Sequence, residues 1–191
     1  MLKKIILIGY RATGKSSVGR RLAVHLGLRF LDMDHELEQR HGRSISEMVA
    51  DQGWPYFRRL ERDLLEEIIG VQGMVISTGG GAILHQALWP RVMASGLVVW
   101  LTADQQIIRQ RLLGDDQTAG QRPALTAGDP FAEIAEVLAY REPLYRGGSH
   151  LAVDTGRLGL DDIVTEIAER ARALTSPEAD FHGGGQDIIR N

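Results

Sequence analysis

Lys4-Ile5-Ile6-Leu7-Ile8-Gly9-Tyr10-Arg11-Ala12-Thr13-Gly14-Lys15-Ser16-Ser17 is the stretch from which the rest of the chain is read. Residues 4–8 form a short β-branched apolar run, residues 9–16 satisfy GxxxxGK[ST], and residues 15–26 keep a helical stripe at Val18, Leu22, Ala23 and Leu26 before Gly27. Strand, glycine loop and helix in that order are the setting the motif requires. Backbone N–H groups of the loop and of the helix start can surround phosphate oxygens, and the helix dipole adds a favourable potential. This assigns Ala12, Thr13, Gly14, Lys15, Ser16 and Ser17 to ATP, with Lys15 reaching the β- and γ-phosphates and the Ser16 hydroxyl on Mg²⁺. A plain glycine turn would explain the bend, but it has no need of Lys and Ser at those offsets.

Outward from this unit, apolar runs recur at 74–77, 97–101 and 151–153, separated by longer amphipathic stretches. The alternation predicts an α/β fold, a parallel sheet with helices on both faces. Phe30-Leu31-Asp32 reads as a short second strand that delivers Asp32 and Asp34 to the sheet's C-terminal edge, where open parallel sheets bind ligands. From Ser44 to Gly70 the sequence is helical without a strand, with Ser44 as N-cap and Pro55 at a first helical position. Residues 104–113, 130–142 and 160–174 read as further helices. The polar stretch 114–129 reads as a mobile lid, and the tail 175–191 as disordered. The expected organisation is one domain, 1–174, with a substrate-binding helical region at about 34–70.

A phosphate loop is shared by motors, transporters and GTPases, so the acceptor side must decide. Asp32 suits an outer position near Mg²⁺, and Asp34 suits orientation or deprotonation of an acceptor hydroxyl; a helix cap is the alternative for either. Arg58 and Glu61 stand three apart on one helix face, where the carboxylate can hold the guanidinium for a substrate carboxylate; a solvated ion pair is the plain alternative. Gly79-Gly80-Gly81 ends a central strand and permits close ligand approach. Arg122-Pro123 lies in the lid stretch, where an arginine could swing over the γ-phosphate. Arg141, four residues before Tyr145, could supply a second guanidinium to the acceptor, or could compensate a helix C-terminus.

Composition narrows the alternatives. With 191 residues and net charge −3, no global field draws the chain to nucleic acid or to anionic lipid, so an anionic ligand must be met by local arginines. No cysteine is present, which removes disulfides and thiolate chemistry. The apolar run at 5–9 is too short for a membrane span. The expectation is a cytoplasmic monomer without nucleic-acid or membrane partners. The six histidines form no HExxH-like array, so no zinc site is expected.

Taken in order, GxxxxGKS, DxD, FRxxE, GGG, RP and RxxxY resemble the motif series of the shikimate kinases over residues 4–174. The resemblance implies a nucleoside-monophosphate-kinase-like P-loop NTPase fold of three layers, α/β/α, around a five-stranded parallel sheet. It implies transfer of the ATP γ-phosphate to the 3-hydroxyl of shikimate, on the pathway to chorismate and the aromatic amino acids. By the same likeness Asp34, Arg58, Gly80 and Arg141, flanked by Gly79 and Gly81, match acceptor positions. Ser16 and Asp32 match metal positions, Arg122 the lid arginine, Arg111 an adenine-packing residue, and Arg157 lies in the adenine-side loop. Three departures stand out. Ala12 replaces a glycine, the stretch before Arg122 is longer than in compact relatives, and the tail after Leu174 has no assigned counterpart in the family pattern. A gluconate-kinase-like enzyme and a nucleotide-binding regulator without turnover are the alternatives; the arginine pair speaks against the first and the acceptor carboxylate against the second.

Overall fold

In the computed structural model, which describes residues 4–114 and 130–175, five parallel strands form one sheet in the order β2-β3-β1-β4-β5. They are β1 Lys4–Ile8, β2 Arg29–Asp32, β3 Met74–Ser77, β4 Leu97–Thr102 and β5 Leu151–Asp154. The helices are α1 Lys15–Leu26, α2 Met33–His41, α3 Ile45–Ile69, α4 Trp89–Ser95, α5 Gln105–Leu113, α6 Pro130–Gly147 and α7 Leu160–Thr175. Every residue of β1 and β3 is buried, as expected of strands covered on both faces.

Alternation along the strands sorts the core into two halves. Ile5, Leu7, Val75, Val99, Leu101 and Val153 pack with Val18 and Leu22 of α1 and with Ile163, Ile167 and Ala171 of α7. Ile6, Ile8, Ile76, Val98 and Trp100 face the other way, against Leu37 of α2, Phe57, Leu64 and Ile68 of α3, Val92 of α4 and Tyr145 of α6. This second face carries the helices that build the cleft described below.

Local chemistry sets the boundaries. Asp32 caps α2, its side chain accepting from the Asp34 and His35 N–H groups. Ser44 opens α3 with a reciprocal capping box: Ser44 Oγ accepts from Glu47 N, and Glu47 Oε2 accepts from Ser44 N at 2.7 Å. Inside α3 the backbone breaks at Gly53 (φ 77°, ψ 168°), so Pro55 stands near the start of the second helical half and not within a continuous one. No basic residue occupies the last turn of α3. Its cation comes from β1 instead, where buried Lys4 donates from Nζ to the Ile68 and Ile69 carbonyls at 2.7 and 2.9 Å.

The predicted strands and helices are present, with modest differences at the ends. α6 runs to Gly147, past the predicted stop at 142, because Pro143 lies within it without ending it. A 3₁₀ turn at Ala82–Leu84 and the short helix α4 were not predicted. They occupy the 82–95 region, whose hydrophobic pattern is too short for a clear period. The lid reading of 114–129 and the tail reading of 175–191 fall, apart from Gly114 and Thr175, outside the described residues.

The edge strand β5 is held partly by a side chain. His150 donates its backbone N–H to the Val98 carbonyl at 2.9 Å, and its Nδ1 accepts the Val98 N–H at 2.9 Å. Burial pushes the imidazole below its ordinary value. Nδ1 accepts only while unprotonated, so this contact stabilises the fold above the usual imidazole range and is lost as pH falls through the depressed value. His150→Ala should therefore cost about 1 kcal/mol at a pH near 8, where the Val98 N–H loses its acceptor. The gap to the wild type should shrink toward a pH of about 5, as chemical denaturation at the two pH values would read out.

Candidate active site

The phosphate loop runs from the end of β1 into α1. Gly14 caps α1 in the left-handed region (φ 88°), and Ala12 is the only non-glycine among the described residues with positive φ, at 59°. That conformation costs an alanine about 1 kcal/mol relative to its ordinary regions, so the departure from glycine at Ala12 is met by strain and not by a rerouted loop. Lys15 is buried and donates from Nζ to the Tyr10 carbonyl at 2.7 Å, and Thr13 Oγ1 donates to the same oxygen at 2.8 Å. Lys15 is thus folded back over the loop it belongs to. Ser16 Oγ donates to Asp32 Oδ2 at 2.5 Å. A hydroxyl and a carboxylate meeting beside the loop fit Mg²⁺, which keeps much of its water and takes few protein ligands. Asp32 serves both as helix cap and as the partner of Ser16.

Beyond the loop lies a cleft lined by Tyr10, Arg11, Asp34, Ile45, Trp54, Phe57, Arg58, Glu61, Gly79, Gly80, Gly81 and Arg141. It collects Asp34 from the first turn of α2, Arg58 from α3, the three glycines after β3, and Arg141 from α6. The glycines are needed sterically. A Cβ on Gly79 would stand 2.7 Å from both Asp34 Oδ1 and Glu61 Oε1, and one on Gly81 would overlap the Arg58 guanidinium. Arg141 Nη1 and Tyr145 Oη both donate to the Gly80 carbonyl, at 3.0 and 2.6 Å. Burial pushes the Tyr145 phenol up to about 12, which keeps it a donor.

Arg58 is not a solvated pair partner. Its Nη1 donates to Glu61 Oε2 at 2.5 Å, and Glu61 is 1% exposed. Burial alone would raise the Glu61 carboxyl, but the hydrogen bond from His85 and the neighbouring Arg58 charge outweigh it and hold it below the ordinary carboxylate range. The Arg58 guanidinium also lies over the Trp54 ring, 5.1 Å from its centroid, and 5.5 Å from that of Phe57. Trp54 and Phe57 pack edge to face. The cleft therefore presents oriented cations against an aromatic wall, suited to a small ring that carries a carboxylate.

A second groove, lined by Ala12, Gly14, Ser17, Val18, Arg111, Thr155, Leu158, Leu160 and Ile163, opens on the other side of the loop. Arg111 donates to the Ala12 carbonyl at 3.2 Å and to the Thr155 carbonyl at 2.6 Å. Thr155 Oγ1 lies 3.0 Å from both the Thr13 and the Thr102 carbonyl oxygens and accepts from Arg111 at 3.1 Å. Loop, α5 and the end of β5 are thereby joined at one threonine. Arg157 is 87% exposed, pairs with Asp154 at 3.5 Å, and is not among the residues lining this groove. Arg122 lies outside the described residues.

Several lining residues were not singled out as site residues by the sequence: Tyr10, Arg11, Ile45, Trp54 and Phe57 in the cleft, and Thr155 in the groove. Trp54 stands four residues before Arg58 and three before Phe57, and that helical spacing was the available signal. His85 gave no signal of this kind, since it meets Glu61 across 24 positions of chain.

The sequence profile of the shikimate kinases matches residues 11–172. The chain is 41% identical to a shikimate kinase from Syntrophus aciditrophicus over 177 residues, 88% of this chain and 90% of the relative. The solved structure of the shikimate kinase from Acinetobacter baumannii in complex with shikimate superposes with a TM-score of 0.84 at 31% identity, covering 92% of this chain and 96% of the other. A gluconokinase from Sinorhizobium meliloti 1021 shares the fold alone, with a TM-score of 0.56 and 22% identity over 90% of this chain and 94% of the other. With more than four-fifths of its length inside the family profile, and relatives of matching length at about two-fifths identity, the chain belongs to the shikimate kinase family.

Proposed function

We propose that this enzyme transfers the γ-phosphoryl group of ATP to the 3-hydroxyl of shikimate, giving shikimate 3-phosphate and ADP. The observation that carries the reading is the convergence of Arg58, Arg141 and Asp34 in one cleft lined also by Tyr10 and Arg11 of the phosphate loop. A donor that binds by its phosphates and an acceptor that binds by its carboxylate then meet at one edge of the sheet.

Arg58 and Arg141 take the acceptor carboxylate, and the Trp54 and Phe57 rings pack against its apolar face. Asp34 accepts a hydrogen bond from the attacking hydroxyl, orienting it and taking its proton as the phosphoryl group arrives. The loop N–H groups hold the phosphates, and Lys15 leaves the Tyr10 carbonyl to meet the transferring charge. Ser16, with Asp32 behind it, is the residue to hold Mg²⁺, which when bound neutralises charge on the β- and γ-phosphates. Arg111 and the Thr155 segment flank the base. Arg122 is assigned to the phosphates from the lid at about 114–129, with 34–70 as the acceptor-binding region of a single kinase domain. Because phosphoryl transfer passes through a loose transition state, positioning outweighs full proton removal by Asp34.

The direct test is Mg²⁺-ATP turnover with shikimate, gluconate or no acceptor, with the product identified by mass spectrometry. Shikimate-dependent ADP release is expected; ATP binding without it, or a preference for gluconate, would overturn the reading. Lys15→Ala should lower kcat by about 10²–10³-fold with the fold intact by circular dichroism. Arg58→Ala should raise the shikimate KM by about 10- to 100-fold while sparing that for ATP. Gly81→Ala, which drives a methyl group into the Arg58 guanidinium, should reproduce the Arg58→Ala pattern in milder form.

A further inference from the structure

Glu61 is the most buried acid of the acceptor cleft, and it does all its hydrogen bonding through one oxygen. Oε2 takes Arg58 Nη1 at 2.5 Å and lies 3.0 Å from His85 Nε2, whereas Oε1 is buried with no hydrogen-bond partner among the described residues. His85 reaches it from the 3₁₀ turn that follows the three glycines, with a side chain only 13% exposed. A carboxylate accepts only, so the imidazole must carry its proton on Nε2. Nothing in the mechanism above uses this ring.

Resting on the shikimate reading, we propose that His85 is a positioning residue that acts through Glu61 on Arg58, fixing the carboxylate so that it holds the guanidinium toward the acceptor. The carboxylate oxygen is shared between two donors, one on its own helix and one from the turn after the glycines. Losing the imidazole leaves Glu61 buried with one donor fewer, and its hold on Arg58 is then less well directed.

The ring lies behind Glu61 and is not among the residues lining the cleft, so the effect falls on acceptor binding and not on the transfer step.

The test is calorimetric titration of shikimate into the wild type, His85→Gln and His85→Ala, with ATP titrations alongside. His85→Gln keeps a neutral donor near the place of Nε2, so its shikimate affinity should stay within about threefold of the wild type. His85→Ala should be about tenfold weaker, because Glu61 loses a donor and holds Arg58 less well. ATP affinity should be the same in all three. A His85→Ala affinity for shikimate equal to the wild type, or a loss that falls on ATP, overturns the role of His85 and leaves the shikimate reading standing. No shikimate binding by the wild type overturns that reading and the proposal with it.

Discussion

A parallel ladder has a single C-terminal edge, and the phosphate loop, the glycine segment and Asp34 stand together because β1, β3 and β2 end there. Leu7 pairs in register with Ser77, and Ser77 with Asp32. The residues that follow, the phosphate loop after β1, the glycines after β3 and Asp34 after β2, are thus delivered at one level without any of them having to be long. Burial on both faces makes that register unforgiving. Shifting β1 by one residue would send Ile5 and Leu7 into the half-core built for Ile6 and Ile8.

On that edge the electrostatic problem is to hold several arginines close together before an anion arrives. Glu61 answers it from within α3, and it remains ionised despite deep burial because Arg58 and His85 both point at it. A buried pair of this kind adds little to stability, since desolvation offsets most of the attraction. Its worth is orientation. The guanidinium is clamped by a carboxylate on one side and by the Trp54 and Phe57 rings on the other, so little rotamer freedom is left to lose on binding.

The glycine segment joins the two halves of the site. The Gly80 carbonyl receives Arg141 and Tyr145 from α6, while Gly79 and Gly81 leave room for Glu61, Asp34 and Arg58. Thr155 does the comparable work on the nucleotide side, tying the Thr13 carbonyl to the end of β4 and to Arg111. Arg58 and Arg141 are thereby tied to a backbone segment beside the phosphate loop, and Arg111 to the loop itself.

The sequence by itself determined the sheet and the phosphate loop, because both are local: strand runs are marked by β-branched residues, and GxxxxGKS is one contiguous stretch at a strand-to-helix junction. It also determined the separate motifs of the acceptor side, through the family likeness and not through spacing alone. What it left open was the choice between plain and functional readings of each charged residue. Taken alone, Arg58 and Glu61 read first as a surface pair, until α3 is seen to bury Glu61, and the turn after β5 leaves Arg157, read as a nucleotide contact, largely exposed. Only the tertiary structure brought His85 to Glu61, Tyr145 and Arg141 to Gly80, and Thr155 to Thr13. Those contacts span 24 to 142 positions of chain, and no local propensity records a partner that distant; it is chosen by how helices pack on a sheet.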